Sequence, residues 1–80
     1  MKQDIAEKLR NVASRVFQTD AELLTPSSSR EEVSGWDSMG HLTLVMEVER
    51  EFTVRFTTSH IEDAKSLNDF AEIIGELSKK

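Results

Sequence analysis

Three stretches of this 80-residue chain repeat apolar side chains at helical spacing, with helix breakers between them. A lone helix cannot bury such a stripe, so the chain has to fold as helices packed against one another. In the first stretch Ile5, Leu9, Val12 and Val16 recur at intervals of four, three and four, and Ala13 can join them. That spacing predicts a helix over about Asp4–Phe17, with Lys8, Arg10 and Arg15 off the stripe or at its edge. In the last stretch Leu67, Phe70, Ala71, Ile74 and Leu77 share a face. This helix should open near Ser66, with Asp69 three positions on as a relative of the capping box. Gly75 and Ser78-Lys79-Lys80 mark its fraying end.

The middle stretch, from about Ser38 to Phe52, carries two stripes instead of one. Val45, Val48 and Phe52, with Leu44 nearby, read as core, while Met39, Leu42 and Met46 form a second line rotated from the first. A small domain has difficulty burying a helix on all sides, so the second line is expected to face a partner, with a core role for Leu42 nearly as well supported. Glu47, Glu49 and Glu51 should point outward. Gly40 in the first turn costs about 1 kcal/mol relative to Ala and is expected to permit a close approach by backbone or ligand.

Between the first two helices, Gln18–Trp36 is long for a connection and contains Pro26 followed by Ser27, Ser28 and Ser29. Leu23, Leu24 and Val33 are the residues available to pin it, and a brief helical turn near Asp20–Leu24 fits the pattern. Thr53–Thr57 is a short link in which Val54 and Phe56 alternate with polar residues without a strand partner. Thr58 or Ser59 is expected to cap a short helix through Asp63, with Ile61 and Ala64 inward.

Composition narrows the function. With 31% charged and 38% hydrophobic residues the chain reads as a small globule and not as a disordered segment. No apolar run approaches the roughly 18 residues of a membrane span, and the N-terminus lacks an apolar signal core, so a cytoplasmic location is expected. The absence of cysteine excludes disulfides and thiolate metal sites, and any thioester chemistry would need a thiol from outside the chain. Residues 1–19 hold Lys2, Lys8, Arg10 and Arg15 against Asp4 and Glu7, a net of +2, so the rest carries −7 of the total −5. Such a surface repels nucleic-acid phosphates and suits a basic protein partner.

Asp37, Ser38 and His41 are the right types for a nucleophilic triad. The elbow motif Gly-x-Ser-x-Gly fails, however, because Trp36 stands where its first glycine belongs. Three triad members crowded at one helix start also cannot form the in-line relay. His41 and His60 are too few for a metal site, and each reads as a surface residue.

Ser38 has a different use. A phosphate on its hydroxyl would face free N–H donors and the positive end of the helix dipole. Gly35-Trp36-Asp37-Ser38-Met39 leading into Leu44-Val45-Met46-Glu47, Glu49, Glu51 and Phe52 resembles the signature of acyl carrier proteins. The similarity is most specific over Gly35–Phe56 and extends loosely through Leu67–Ile74. It implies an all-α, four-helix bundle with three longer helices, one short helix and a long loop after the first, forming a single carrier domain over residues 1–80. It also implies that Ser38 carries 4′-phosphopantetheine, transferred from coenzyme A by a separate Mg²⁺-dependent phosphopantetheinyl transferase. The thiol of that arm then holds acyl groups as thioesters. Ser38 is an attachment point in this reading, and the chain has no catalytic residue of its own.

By matching positions, Val48, Phe56, Ile61, Ala64 and Phe70 are expected around the acyl chain, and the bulk of Phe56 and Phe70 points to short or polar cargo. Docking enzymes are expected to read Asp37, Met39, Leu42, Met46, Glu47 and Glu49. The partners implied are the transferase, an acyl-loading ligase or transferase and downstream acyl-processing enzymes of a fatty-acid, polyketide or specialised pathway. The chain itself is expected to be a monomer. Several positions depart from the fatty-acid pattern. Met39 replaces the usual Leu, Trp36 stands where many relatives have a small residue, Gly40, His41 and Thr43 fill places where acids are common, and Arg50 interrupts the later acidic run. An unmodified acidic helical interaction module is the alternative, since it accounts equally well for the charge and the exposed stripe.

Overall fold

The computed structural model describes residues 2–78, with side chains from residue 5 onward. Its elements are α1 (Lys2–Phe17), a 3₁₀ turn (Ala21–Leu23), α2 (Ser38–Phe52), α3 (Thr58–Asp63) and α4 (Leu67–Leu77). This is the expected all-α bundle of three longer helices and one short one, with a long loop after the first. Lys79 and Lys80, expected at the fraying end of α4, lie outside the described residues. Helix α1 packs against both α2 and α4. The stripes meet in one core, in which Leu9, Val12, Leu44, Val48, Phe70 and Ile74 are the largest fully buried side chains.

Helices α1 and α2 end the same way. Gln18 and Thr53, the residues just past their last turns, sit at φ 54° and 55° in the left-handed region. The next residue then folds back, with Thr19 N–H donating to Ser14 O at 3.1 Å and Val54 N–H to Glu49 O at 3.2 Å. Glycine normally fills this position because a Cβ is strained there, and a β-branched residue more so. Thr53→Gly is therefore expected to raise stability by about 1 kcal/mol, read as a rise in Tm of roughly 4–8 °C. An unchanged or lower Tm would show that the Thr53 side chain gives back more than its backbone costs.

The long loop is held by the N-terminus of α4. The first N–H groups of a helix have no partner inside it. Here Leu67 N–H donates to Ser28 O at 3.1 Å and Asn68 N–H to Pro26 O at 2.8 Å. Asp69 N–H goes to the Oγ of the cap residue Ser66 at 3.2 Å, and Phe70 N–H to its carbonyl at 3.1 Å. Three orphan donors of the first turn are thus used, two of them to fasten the Pro26–Ser28 segment of the loop, and Phe70 N–H begins the regular helical ladder.

The anchors of that loop differ from expectation in part. Leu24 is buried and Val33 packs against the core, but Leu23 is 71% exposed. Leu23 ends the 3₁₀ turn and Leu24, just past it, is already extended, so their side chains leave the chain in different directions. Trp36 takes up the role instead, at 2% exposure. The cap of α3 also differs. Thr57, one residue before the expected position, accepts from His60 N–H while His60 Nδ1 accepts from Thr57 N–H, both at 3.2 Å, in a reciprocal capping box.

Candidate functional site

The head of α2 is built around the Asp37 side chain. Asp37 is the N-cap, and its Oδ1 accepts from Gly40 N–H at 2.8 Å while its carbonyl accepts from His41 N–H at 2.7 Å. Ser38 is then the first helical residue, exposed. Among the described residues its hydroxyl and the N–H groups of Ser38 and Met39 have no protein partner. A hydroxyl so placed is accessible, is fixed by the capping geometry, and faces the positive end of the helix dipole.

Gly40 explains how the preceding loop reaches this turn. A Cβ at Gly40 would stand far inside van der Waals contact of Gly35 O, and 3.2 Å from Gly35 C and Phe17 Cε1. The close approach anticipated at Gly40 is thus made by the chain's own backbone. Gly35, at φ +92°, makes the turn that brings its carbonyl there.

The two histidines are not free surface groups. His41 is 6% exposed. Trp36 Nε1 donates to its Nδ1 at 2.9 Å, and its Nε2 meets Ile61 O at 2.8 Å. The expectation of a surface His41 fails because its neighbour in space is the loop's buried indole, a donor that needs an acceptor. His60 is half-buried and serves the cap of α3. With both His41 nitrogens so committed and Asp37 bonded to Gly40, no relay runs from them to Ser38. Among the described residues no group of three His, Asp or Glu side chains is placed to hold a metal ion.

The second stripe of α2 is on the surface: Met39 is 77%, Leu42 52% and Met46 59% exposed. This decides the place of Leu42, which does not belong to the core. Asp37 is exposed and Glu47 half-buried beside Arg50, 3.9 Å away. Glu49, expected to point outward as a docking charge, turns its Oε2 to Phe56 N–H at 2.7 Å. The reason is local, since Phe56 lies in the link after α2, where no helix supplies an acceptor.

The chain matches the family model described as "Phosphopantetheine attachment site" over residues 7–74. That span includes all of α2 and α3 and most of α1 and α4. The chain belongs to this family. It is a carrier of the acyl-carrier type, a family that is non-catalytic and bears covalently attached 4′-phosphopantetheine. It is similar to the acyl carrier protein of Onion yellows phytoplasma (strain OY-M), with 29% identity over 65 residues, 81% of this chain and 86% of that one. Its fold is that of the holo acyl carrier protein from Geobacter metallireducens solved by NMR, at a TM-score of 0.81 and 24% identity over 90% of this chain and 83% of that one. Carriers of this type work with phosphopantetheinyl transferases and acyl-processing enzymes. No described helix is long and apolar enough to cross a membrane.

The head of α2 suits such a group, because a phosphodiester on an exposed hydroxyl there meets unpaired N–H donors. The five residues expected around an acyl chain are brought together. Val48, Phe56, Ala64 and Phe70 are core, Ile61 packs against them, and the Phe56 and Phe70 rings lie 5.6 Å apart. They are filled positions. A half-open cavity of about 370 Å³ lies elsewhere, between α1, α4 and the loop, lined by Leu9, Arg10, Pro26, Leu67 and Asn68 among others. None of the five lines it.

Sequence reasoning missed Trp36 and His41 as interior residues. The available signal was that a lone large aromatic next to a helix start is seldom left in water.

Proposed function

We propose that Ser38 carries the phosphopantetheine arm and that the chain is a cytoplasmic carrier loaded by a dedicated ligase or transferase. One observation carries the assignment: the Ser38 hydroxyl is exposed and unbonded on the first residue of α2, beside free N–H donors. Other serines lack that combination. Ser28 is buried with its Oγ accepting from Thr25 N–H, Ser66 caps α4, and Ser14 bonds to Thr19 O.

The docking surface is Asp37 with Met39, Leu42, Met46 and Glu47. It surrounds the attachment point, so an enzyme seated on it meets the arm. Apolar contacts hold such a complex while charges at the rim set encounter and discrimination. Glu49 is left out of this surface because its carboxylate is engaged with Phe56. The acids of the fatty-acid pattern are missing at Gly40 and Thr43, and Arg50 adds a positive group. A basic site shaped for fatty-acid carriers is therefore poorly matched, which favours partners specific to this chain. The filled interior around Phe56 and Phe70 supports short or polar acyl cargo.

The test is intact mass after incubation with coenzyme A, Mg²⁺ and a phosphopantetheinyl transferase. The native chain should gain the mass of one arm. Ser38→Ala should fold with an unchanged far-UV spectrum and gain nothing. A Ser38→Ala chain that is still modified would overturn the assignment.

A further inference from the structure

The chain Trp36–His41–Ile61 has a direction that follows from chemistry alone. An indole N–H only donates, so His41 Nδ1 must accept. The ring proton then sits on Nε2, which donates to Ile61 O, an acceptor only. Helix α3 is only six residues long, Thr58–Asp63. Its last carbonyls have no partner inside the helix, and Ile61 O is one of them. His41 therefore satisfies an end of α3 that the helix leaves open. The rings reinforce the link: Trp36 stacks on Phe17 at 5.2 Å and on His41 at 6.2 Å, and Phe70 meets His41 edge-on at 5.6 Å.

Ser38 lies between the two residues of this clamp, two after Trp36 and three before His41. We propose that Trp36 and His41 are positioning residues for the group attached at Ser38, tying the turn that presents it to the Ile61 carbonyl of α3. This rests on Ser38 being the attachment point. A well-packed apolar pair would fill the same space without a desolvation cost. What the polar chain adds is one fixed register between the head of α2 and the end of α3. A displacement of α3 is thereby felt at Ser38, and attachment at Ser38 is felt at α3.

The experiment uses the 80-residue apo chain with coenzyme A and a phosphopantetheinyl transferase. It compares Trp36→Phe, which keeps a ring and loses the donor, His41→Leu, and His41→Gln, whose amide retains a donor for Ile61. Ile74→Val, a core change in α4 outside the hydrogen-bonded chain Trp36–His41–Ile61, serves as the stability control. Attachment is followed as kcat/KM, with Tm recorded beside it. The Glu62 amide, which shares the peptide plane of Ile61 C=O, and the Trp36 indole N–H are followed by NMR before and after attachment.

Trp36→Phe and His41→Leu should lower kcat/KM by about tenfold, since small misplacements of a reacting group are costly. His41→Gln should recover part of that loss. Ile74→Val should lower Tm while leaving kcat/KM close to native. In the native chain attachment should shift both NMR probes, and in His41→Leu the Glu62 shift should vanish. If the clamp variants lose only Tm, or if Ile74→Val slows attachment as much at equal Tm, the pair is core packing and the proposal falls. Arm attachment to Ser38→Ala would instead remove the reading on which the proposal rests. Native attachment at Ser38 with an unmoved Glu62 amide removes the proposal alone.

Discussion

Gly40→Ala is expected to destabilise the protein by about 3 kcal/mol, although helix propensity alone favours alanine by about 1 kcal/mol. The sign reverses because the new methyl would overlap Gly35 O, a backbone atom with little room to withdraw. Gly35 is held in its turn at φ +92°, and the buried Trp36 follows it directly. On the other side Phe17 Cε1 is already 3.2 Å from where the methyl would be. The loop must then lift from α2, and Trp36 and its bond to His41 move with it. Gly75→Ala is the matching control. It too lies within a helix, but its methyl would meet only Ile5 Cδ1 at 3.9 Å, an ordinary contact. It should therefore stabilise by about 1 kcal/mol. Thermal unfolding of the two variants should move in opposite directions, with Gly40→Ala falling by more than about 10 °C. Equal shifts of one sign would show that the Gly35 loop yields easily. The same geometry limits any attempt to restore fatty-acid-type acids: Thr43 and Arg50 are exposed and can accept glutamate, whereas Gly40 cannot accept aspartate.

The helices were legible because their apolar spacing is a direct consequence of burying one face. Leu9, Val12, Leu44, Val48 and Ile74 lie inside as their spacing requires. The start of α2 was legible because its apolar spacing begins near Ser38, where the helix does begin, and the family was legible through the resemblance to acyl carrier proteins. What spacing could not reveal were contacts between residues distant in sequence or outside any periodic run. His41 reads as polar and hence as surface until Trp36 Nε1 and Ile61 O are placed on its two nitrogens. Glu49 sits between outward-facing acids, yet the Phe56 N–H beyond the end of α2 draws its carboxylate in. Leu23 looked as good an anchor as Leu24, and only the change from 3₁₀ turn to extended chain between them separates the two. The first two depend on a polar group seeking a partner distant in sequence and the third on a local turn, and neither leaves a periodic trace in the sequence.

Phe70→Ala is expected to cost about 3–5 kcal/mol, the largest loss anticipated from a single core truncation here. Phe70 is fully buried, and its ring meets Trp36 at 6.1 Å, His41 at 5.6 Å and Phe56 at 5.6 Å. It is the shared wall of the cluster, so removing it opens space that neither the clamp nor α2 can close by a rotamer change. An 80-residue domain has on the order of 4–12 kcal/mol of stability in total, so the alanine variant should lose a large share of it. Phe70→Leu keeps an apolar wall and should lose less, about 1–2 kcal/mol, which makes it the variant suited to the cargo question. With Ser38 as the attachment point, a long saturated chain on the arm has a space to fill in Phe70→Leu and none in the native core. A group that enters the folded state alone stabilises it. Loading an octanoyl chain should therefore raise the Tm of Phe70→Leu and leave that of the native carrier nearly unchanged. Loading an acetyl group should change neither. A native carrier whose Tm rises with octanoyl as much as the variant's would show that its interior already admits a long chain, and the preference for short or polar cargo would be lost.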